Sequence, residues 1–186
     1  VPAYLVILSK TYNLIKSKPY TKKLINLYFN LLFSCQINEK ISIYPATILN
    51  YGSKSALSYP TRLAWCYGDL GITIAYILSK KNINYPNIDL HIDNLINKSL
   101  SFTKEDCDVK DAMFCHGTSG IAYLFLKFYQ YTNRIECLER SKYWLTETLK
   151  FSNDSGEFKE FKSVDLTSDK EINDYSLLNG LPGVGL

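Results

Sequence analysis

A short glycine pattern occurs three times in this chain, each time directly before a run of apolar residues. The copies are Gly68–Ile72, Gly117–Ile121 and Gly180–Val184, and each reads Gly-x-x-Gly followed by an aliphatic residue. Their first glycines are separated by 49 and then 63 residues. Patterns repeated at such intervals are typical of folds that stack copies of one supersecondary unit. The repeat therefore constrains the fold more than any other feature of the sequence.

The segments after and between these copies predict helices of two kinds. Ile72–Leu78 and Ile121–Phe128 are apolar nearly all round, as in helices that are buried on most faces. Tyr20–Phe33, Pro86–Leu100 and Ile135–Leu149 are amphipathic. Their predicted buried faces are, in order, Leu24, Leu27, Tyr28 and Leu31; Ile88, Ile92, Leu95 and Ile96; and Leu138, Tyr143, Trp144, Leu145 and Leu149. This alternation predicts an all-α fold of helix pairs, either closed into an α/α toroid or open as a solenoid.

Two segments interrupt the helical pattern. Gln36–Pro60 is rich in Ser, Tyr and Pro, and its alternating isoleucines predict a loop that carries a short hairpin. Asn153–Asp174 is polar and charged, and we expect a loop with little regular structure there.

Composition limits the class of protein. The chain has 186 residues with 46% hydrophobic content, which suits one globular unit with a substantial core. Its net charge of +3 is too small to indicate nucleic-acid binding. Lys16, Lys18, Lys22 and Lys23 are interpreted as a solvated helix face, the alternative being a weak contact with a membrane surface or an anionic partner. The apolar runs are shorter than the ~20 residues of a transmembrane helix.

Five cysteines, an odd number, without a signal peptide indicate a reducing compartment. The chain begins at Val1 without an initiator Met, and it ends at Leu186, where a helix is expected to start. We therefore expect a fragment of a longer protein, truncated at both ends.

Two cysteines and one of the two histidines occupy matching positions in the repeat. Cys66 and Cys115 each lie two residues before the first glycine, whereas His116 and its equivalent Tyr67 lie one residue before it. Equivalent loops of a ring emerge at the same end, so these side chains can converge. Two thiolates and an imidazole suit zinc, and three protein ligands leave one coordination position open. The alternative is that both cysteines are small buried residues and His116 is a hydrogen-bonded core histidine.

Three blocks around this pattern resemble the signature motifs of the lanthionine synthetase C-like (LanC) family. They are RLAWCYGDLG at residues 62–71, CHG at residues 115–117 and LNGLPGVGL at residues 178–186. The resemblance covers most of the chain. It implies that residues 1–186 form part of a LanC-like α/α toroid domain, an incomplete ring from the C-terminal half of the family's domain.

The resemblance implies a zinc-dependent peptide cyclase with Cys66, Cys115 and His116 as the zinc ligands. In the family, a cysteine thiol of a dehydrated precursor peptide adds to dehydroalanine or dehydrobutyrine and closes a lanthionine or methyllanthionine ring. Zinc suits this chemistry because a free thiol is mostly protonated at neutral pH and metal binding deprotonates it.

Two further residues gain expected catalytic roles from the resemblance. Arg62 matches a family position thought to assist the reaction, and its guanidinium can hold the negative charge that develops on the enolate. The alternative for Arg62 is a structural ion pair. Tyr67 directly follows a ligand, and we expect it either to donate a hydrogen bond near the zinc or to pack.

The family's usual proton donor is a histidine in an earlier repeat, and it has no match in this chain. His91 lies on an amphipathic helix among polar residues, so we expect it to be exposed and a poor substitute. The fragment alone is therefore expected to be inactive. Asp69 is interpreted as a first-turn acid that the helix dipole favours. The other cysteines are interpreted as core or incidental thiols: Cys35, Cys107 and Cys137.

Two other functions stay open at this point. A LanC-like enzyme can instead add glutathione to dehydrated residues, or the toroid can be a non-catalytic peptide-binding module with structural zinc. A cyclase would take a dehydrated precursor peptide as its partner, with a dehydratase and a transporter as further candidates. The expected location is the cytoplasm, with peripheral association at the membrane as a variant.

Overall fold

The computed structural model describes residues 2–12, 14, 18–37, 42–46, 61–152, 161–165 and 167–185. The helices in these ranges are α1 (Pro2–Thr11), α2 (Lys18–Ser34), α3 (Asp69–Ser79), α4 (Ile88–Leu100), α5 (Thr118–Thr132), α6 (Ile135–Lys150) and α7 (Leu181–Val184), with a 3₁₀ turn at Lys80–Asn82. Strands β1 (Ser163–Asp165) and β2 (Lys170–Ile172) form an antiparallel hairpin. The described chain is thus mostly helical, as the sequence predicts. None of its helices combines the length and the hydropathy needed to cross a membrane.

The chain divides into two compact units. The first comprises Val1–Thr61 and Tyr67–Ser99, and in it α1 packs against α2 and α3. The second comprises Arg62–Cys66 and Leu100–Leu186, and in it α5 packs against α6 and α7. The short segment Arg62–Cys66 belongs to the second unit although it precedes α3 in the chain.

The repeated glycines mark the starts of three helices. Gly68, Gly117 and Gly180 each stand directly before the first residue of a helix, namely of α3, α5 and α7. Gly68 has φ +82°, and a Cβ there would lie 2.6 Å from Thr61 Oγ1. Only glycine fits this position without strain, because it lacks the Cβ that disfavours the left-handed region. The repeat thus sets where each helix begins.

The predicted alternation of buried and half-buried helices is confirmed. Helix α3 is buried on nearly every face, and α5 buries Ile121, Leu124, Phe125 and Phe128. Helix α4 is half-buried, and the stripe that packs inward is the predicted one: Ile88, Ile92, Leu95 and Ile96.

The predicted faces of the other two amphipathic helices were partly wrong. In α2 the buried residues are Thr21, Ile25, Phe29 and Leu32, whereas Leu27 is 60% exposed. In α6 Trp144 is buried as predicted, but Leu145 and Leu149 are each 54% exposed. Thr148 of α6 instead donates a hydrogen bond to Thr118 Oγ1 of α5 at 2.8 Å. Both helices carry more than one apolar stripe, and the neighbouring helix decides which one is buried.

The polar segment before α7 is more ordered than predicted. Within Asn153–Asp174, residues 153–160 and 166 lie outside the described ranges, but the β1–β2 hairpin pairs Val164 with Glu171. Asp165 closes its turn by accepting hydrogen bonds from the Thr167 amide at 2.9 Å and hydroxyl at 2.8 Å. These polar residues therefore form an ordered turn instead of the irregular loop that was predicted. The polar composition did not show that the Asp165 side chain would bond to the backbone of the turn.

Two predictions fall partly on residues that are not described. Most of Gln36–Pro60 lies outside the described ranges, although the Ile37 amide donates to the Ile43 carbonyl at 2.8 Å. Lys16 also lies outside them. The exposed positions of Lys18, Lys22 and Lys23 agree with a solvated helix face.

Candidate metal centre

Three equivalent loops lie side by side in the second unit. The Trp65 amide donates to the Cys115 carbonyl at 3.2 Å, and the Cys115 amide donates to the Leu178 carbonyl at 2.8 Å. Cys66, Cys115 and Leu178 each stand two residues before the first glycine of their repeat. Backbone hydrogen bonds between the loops thus hold the repeat-equivalent positions next to one another.

This arrangement brings Cys66, Cys115 and His116 together. One ligand atom from each of them lies within 4.8 Å of the other two. Cys66 is exposed, whereas Cys115 and His116 are half-buried, so the cluster can be reached from solvent on one side. Among the described residues this is the one group of three or more Cys, His, Asp or Glu side chains placed to hold a metal ion.

The two thiols of the cluster influence each other's ionisation. Burial raises the pKa of the Cys66 thiol to about 12, and the neighbouring Cys115 thiol adds to this effect. The positive charge of Arg62 acts in the opposite direction and lowers the pKa of Cys66. Without a metal ion the Cys66 thiol is therefore protonated at neutral pH, and metal binding has to displace its proton.

The surroundings of the His116 imidazole change its pKa. Burial lowers the pKa of His116, as does the charge of Arg62, whereas the carboxylate of Asp111 raises it. Its Nε2 lies 3.9 Å from Asp111 Oδ2 and is buried without a hydrogen-bond partner. A neutral imidazole beside two thiols is a set of donors suited to zinc.

The structure places Arg62 within electrostatic reach of the cluster, because its charge acts on both Cys66 and His116. Arg62 is half-buried and belongs to the same unit as the three candidate ligands. Tyr67 is also half-buried, and its role stays a prediction.

His91 is not the exposed residue that its polar neighbours in the sequence suggested. Its ring is half-buried, its Nε2 lies 2.8 Å from the Tyr44 hydroxyl, and burial lowers its pKa. The Tyr44 hydroxyl is also 2.9 Å from that of Tyr76. The prediction was wrong because the partners lie 47 and 15 residues away in the sequence and meet His91 only in the folded chain.

Sequence reasoning assigned Asp69 a smaller role than the structure shows. Its carboxylate, at 2% exposure, accepts hydrogen bonds from the Ile43 amide at 2.8 Å and the Tyr44 amide at 2.9 Å. Asp69 therefore anchors a distant segment besides beginning α3. The three cysteines interpreted as core or incidental thiols fit that description, since Cys107 and Cys137 are buried and Cys35 is half-buried.

Sequence reasoning missed Asp111 altogether. Asp111 and Asp174 each precede the first glycine of their repeat by six residues. This shared position is the signal that could have found it. Asp111 is 1% exposed and lies beside His116, so it belongs to the surroundings of the cluster.

The helix-pair fold and the Cys-Cys-His cluster define a class of α-helical repeat protein with a candidate metal site on its repeat loops. The sequence matches the family of lanthionine synthetase C-like proteins over residues 1–186, and the chain belongs to this family. A comparison with curated proteins finds no match.

Among solved structures, the fold is similar to that of nisin cyclase. The TM-score is 0.69 at 16% sequence identity, and the match covers 98% of this chain and 42% of nisin cyclase. The chain thus spans less than half the length of that protein. At this identity the likeness concerns the fold, which is the α/α toroid that the sequence predicted.

Proposed function

We propose that this chain carries the zinc site of a lanthipeptide cyclase. Its membership of the lanthionine synthetase C-like family and its structural likeness to nisin cyclase support the class of enzyme. The observation that carries the proposal is the approach of Cys66, Cys115 and His116, whose ligand atoms lie within 4.8 Å of one another. The substrate would be a dehydrated precursor peptide.

The donor set fits zinc. Zinc bonds to sulfur at about 2.3 Å and to nitrogen at about 2.0–2.1 Å, so ligand atoms on one ion lie about 3.5–4 Å apart. A cluster whose atoms already lie within 4.8 Å reaches that spacing by contracting by about 1.3 Å at most. Three protein ligands also leave a position for an outside sulfur, as catalytic zinc sites do. Bound there, zinc would supply a Lewis acid that deprotonates the thiol of the peptide.

The chain's own residues serve the addition in two ways. Arg62 places a positive charge near the cluster, where it favours thiolate over thiol and stabilises the negative charge of the enolate. The exposed Trp65, whose ring lies 5.9 Å from that of Phe114, presents an apolar surface next to Cys66. As the carbon–sulfur bond forms at the β-carbon, the π bond of the dehydrated residue breaks. The α-carbon of the resulting enolate then takes up a proton, which balances the one that the thiol released. Besides Arg62, Tyr67 is a candidate for assisting this step.

The proposal extends to the setting of the enzyme. A cyclase acts after a dehydratase has made the dehydrated residues, so a dehydratase is a candidate partner, and a transporter of the product is another. The proposed location is the cytoplasm, where thiols stay reduced.

The proposal is tested by measuring zinc content and thiol loss together in the full chain. Wild type should contain near-stoichiometric zinc. With imidazole buffer supplying the proton that the family's histidine would donate, it should also slowly consume the free thiol of a peptide that carries one cysteine and one dehydroalanine. Cyclisation leaves the mass unchanged, so the remaining thiol is counted by alkylation and mass spectrometry. Cys66→Ala and Cys115→Ala should lose both properties, whereas the matched control Cys35→Ala, outside the cluster, should keep them.

Three outcomes would contradict the proposal in different ways. Full zinc content in both cluster variants removes the site. Glutathione addition, seen as a mass increase of the dehydrated peptide without loss of its own thiol, assigns a glutathione-adding enzyme instead. Zinc with four protein ligands in the absorption spectrum of the Co²⁺-substituted protein, and no thiol loss, indicates a structural metal in a peptide-binding module.

A further inference from the structure

Asp111 is a buried carboxylate whose surroundings are unusual for a loop residue. It is 1% exposed. Its Oδ1 accepts a hydrogen bond from the Met113 amide at 3.0 Å, and its Oδ2 accepts one from the Val164 amide of β1 at 3.1 Å. The same Oδ2 faces His116 Nε2 at 3.9 Å. One oxygen, Oδ2, thus accepts a hydrogen bond from the hairpin and lies opposite the imidazole.

Asp174 shows what such an aspartate does when it only builds the loop. It too accepts the amide of the residue two positions on, Ser176, at 2.7 Å. The main-chain carbonyls of the two aspartates also match, because that of Asp174 accepts the Leu181 amide at 2.9 Å and that of Asp111 accepts the Thr118 amide at 3.1 Å. Asp174, however, is not buried. Loop building therefore does not account for the burial of the Asp111 charge, which costs free energy unless a partner compensates for it.

Besides the two backbone amides, the His116 imidazole is the polar group that faces this carboxylate. A carboxylate only accepts hydrogen bonds, so the ring nitrogen that faces it is the one that carries the proton. The other nitrogen, Nδ1, then keeps its lone pair. Metal-binding histidines almost always donate their second N–H to a carboxylate, a carbonyl or a water, which fixes the tautomer and the ring orientation.

We propose that Asp111 is the positioning residue of His116, and that it holds the proton on Nε2 so that Nδ1 is free to bind the metal ion. This inference rests on the proposed metal site but makes its own claim about the tautomer. At 3.9 Å the carboxylate acts on the neutral ring through its electric field rather than through a direct hydrogen bond. A small rotation of the His116 side chain closes the gap of about 1 Å to hydrogen-bond distance.

Gly117 supports this role of Asp111. A Cβ at Gly117 would collide with Asp111 Oδ1 and with the Met113 backbone, so only glycine lets the carboxylate approach this loop. The glycine of the repeat therefore does more than begin α5, because it makes room for the charge that faces the imidazole of the neighbouring residue.

The first experiment reads the tautomer directly in the metal-free full chain. The chain has two histidines, so ¹⁵N-histidine labelling gives two ring systems, and His91→Gln assigns the signals. In wild type we expect His116 as the Nε2–H tautomer, shifting towards Nδ1–H in Asp111→Asn. A wild-type His116 that carries its proton on Nδ1 would overturn the proposal, and this reading requires neither a variant at Asp111 nor bound metal.

The second experiment measures zinc affinity by competition with a chromophoric chelator. Asp111→Asn should lose about 10–100-fold in zinc affinity, as outer-shell changes typically do. The matched control Asp174→Asn removes the equivalent carboxylate of a repeat loop and should bind zinc like wild type. Val164→Pro deletes the amide that ties β1 to Oδ2 but keeps the carboxylate, so it should also retain its affinity.

The outcomes separate this proposal from the proposed function. Wild-type affinity in Asp111→Asn, or an equal loss in Val164→Pro, would show that Asp111 only anchors the hairpin. If wild type binds no zinc while His116 carries its proton on Nε2, the metal site fails and the positioning role stands. If zinc binds tightly and His116 is the Nδ1–H tautomer, the metal site stands and the positioning role fails.

Discussion

The two histidines of this chain lie in similar degrees of burial but in opposite states of hydrogen bonding. His91, in the first unit, has a ring nitrogen 2.8 Å from the Tyr44 hydroxyl and packs against Phe33 at 5.0 Å between ring centroids. His116, in the second unit, has a buried Nε2 without a hydrogen-bond partner. Burial lowers the pKa of both. A lowered pKa therefore does not distinguish a ligand from a structural histidine, whereas the closeness of the His116 ring to two thiols does.

The comparison extends to the residues around each histidine. His91 is the end of a chain of neutral hydroxyls, because burial raises the pKa of both Tyr44 and Tyr76 and keeps them protonated. His116 instead lies among groups that carry or can acquire charge: Arg62, Asp111 and the two thiols. The first arrangement is suited to stabilising the fold, and the second to binding a cation.

The largest expected effect comes from exchanging each histidine for glutamine. His116→Gln should lower zinc affinity by more than 100-fold, since loss of a ligand exceeds the 10–100-fold cost of an outer-shell change. His91→Gln should bind zinc like wild type. Chelator competition on both variants tests this, and an equal loss of affinity in the two would break the distinction between them.

The next largest effect concerns the hydroxyl that His91 shares. Tyr44→Phe removes the partner of two buried polar groups, His91 and Tyr76, so it should lower the free energy of unfolding by about 1–3 kcal/mol. Urea denaturation measures this, with Tyr20→Phe, at a 62% exposed position, as the control. Zinc content should stay unchanged. If Tyr44→Phe were as stable as the control, the hydrogen bonds among Tyr76, Tyr44 and His91 would make no net contribution to the free energy of unfolding.

The smallest expected effect is a dependence of stability on pH. Burial depresses the folded-state pKa of His91, so the stability from its neutral form is fully present above the unfolded pKa of about 6.5. It is lost as the pH falls through that value towards the folded pKa, by at most about 1.4 kcal/mol per pH unit. Metal-free wild type should therefore lose more stability than His91→Gln between pH 7.5 and 5.5. Parallel curves for the two proteins would contradict this.

Features with a local or repeated cause could be predicted from the sequence. The glycines predicted where α3, α5 and α7 begin, since glycine is required by the close approach of backbone at those points. Matching positions in the repeat predicted that Cys66, Cys115 and His116 would meet. Partners that are not related by the repeat could not be found in this way. The Asp69 carboxylate accepts hydrogen bonds from the Ile43 and Tyr44 amides, and the Asp111 carboxylate accepts one from the Val164 amide. These partners lie too far apart in the sequence for a local pattern to predict them.

The sequence by itself determined the helix-pair class, the starts of α3, α5 and α7 and the membership of the candidate metal cluster, because periodicity and spacing act along the chain. The tertiary structure alone decided which stripes of α2 and α6 are buried, that His91 is hydrogen-bonded, and that a carboxylate faces His116. These depend on which surfaces meet once the helices pack. Packing selects among several apolar faces and polar partners that the sequence offers equally.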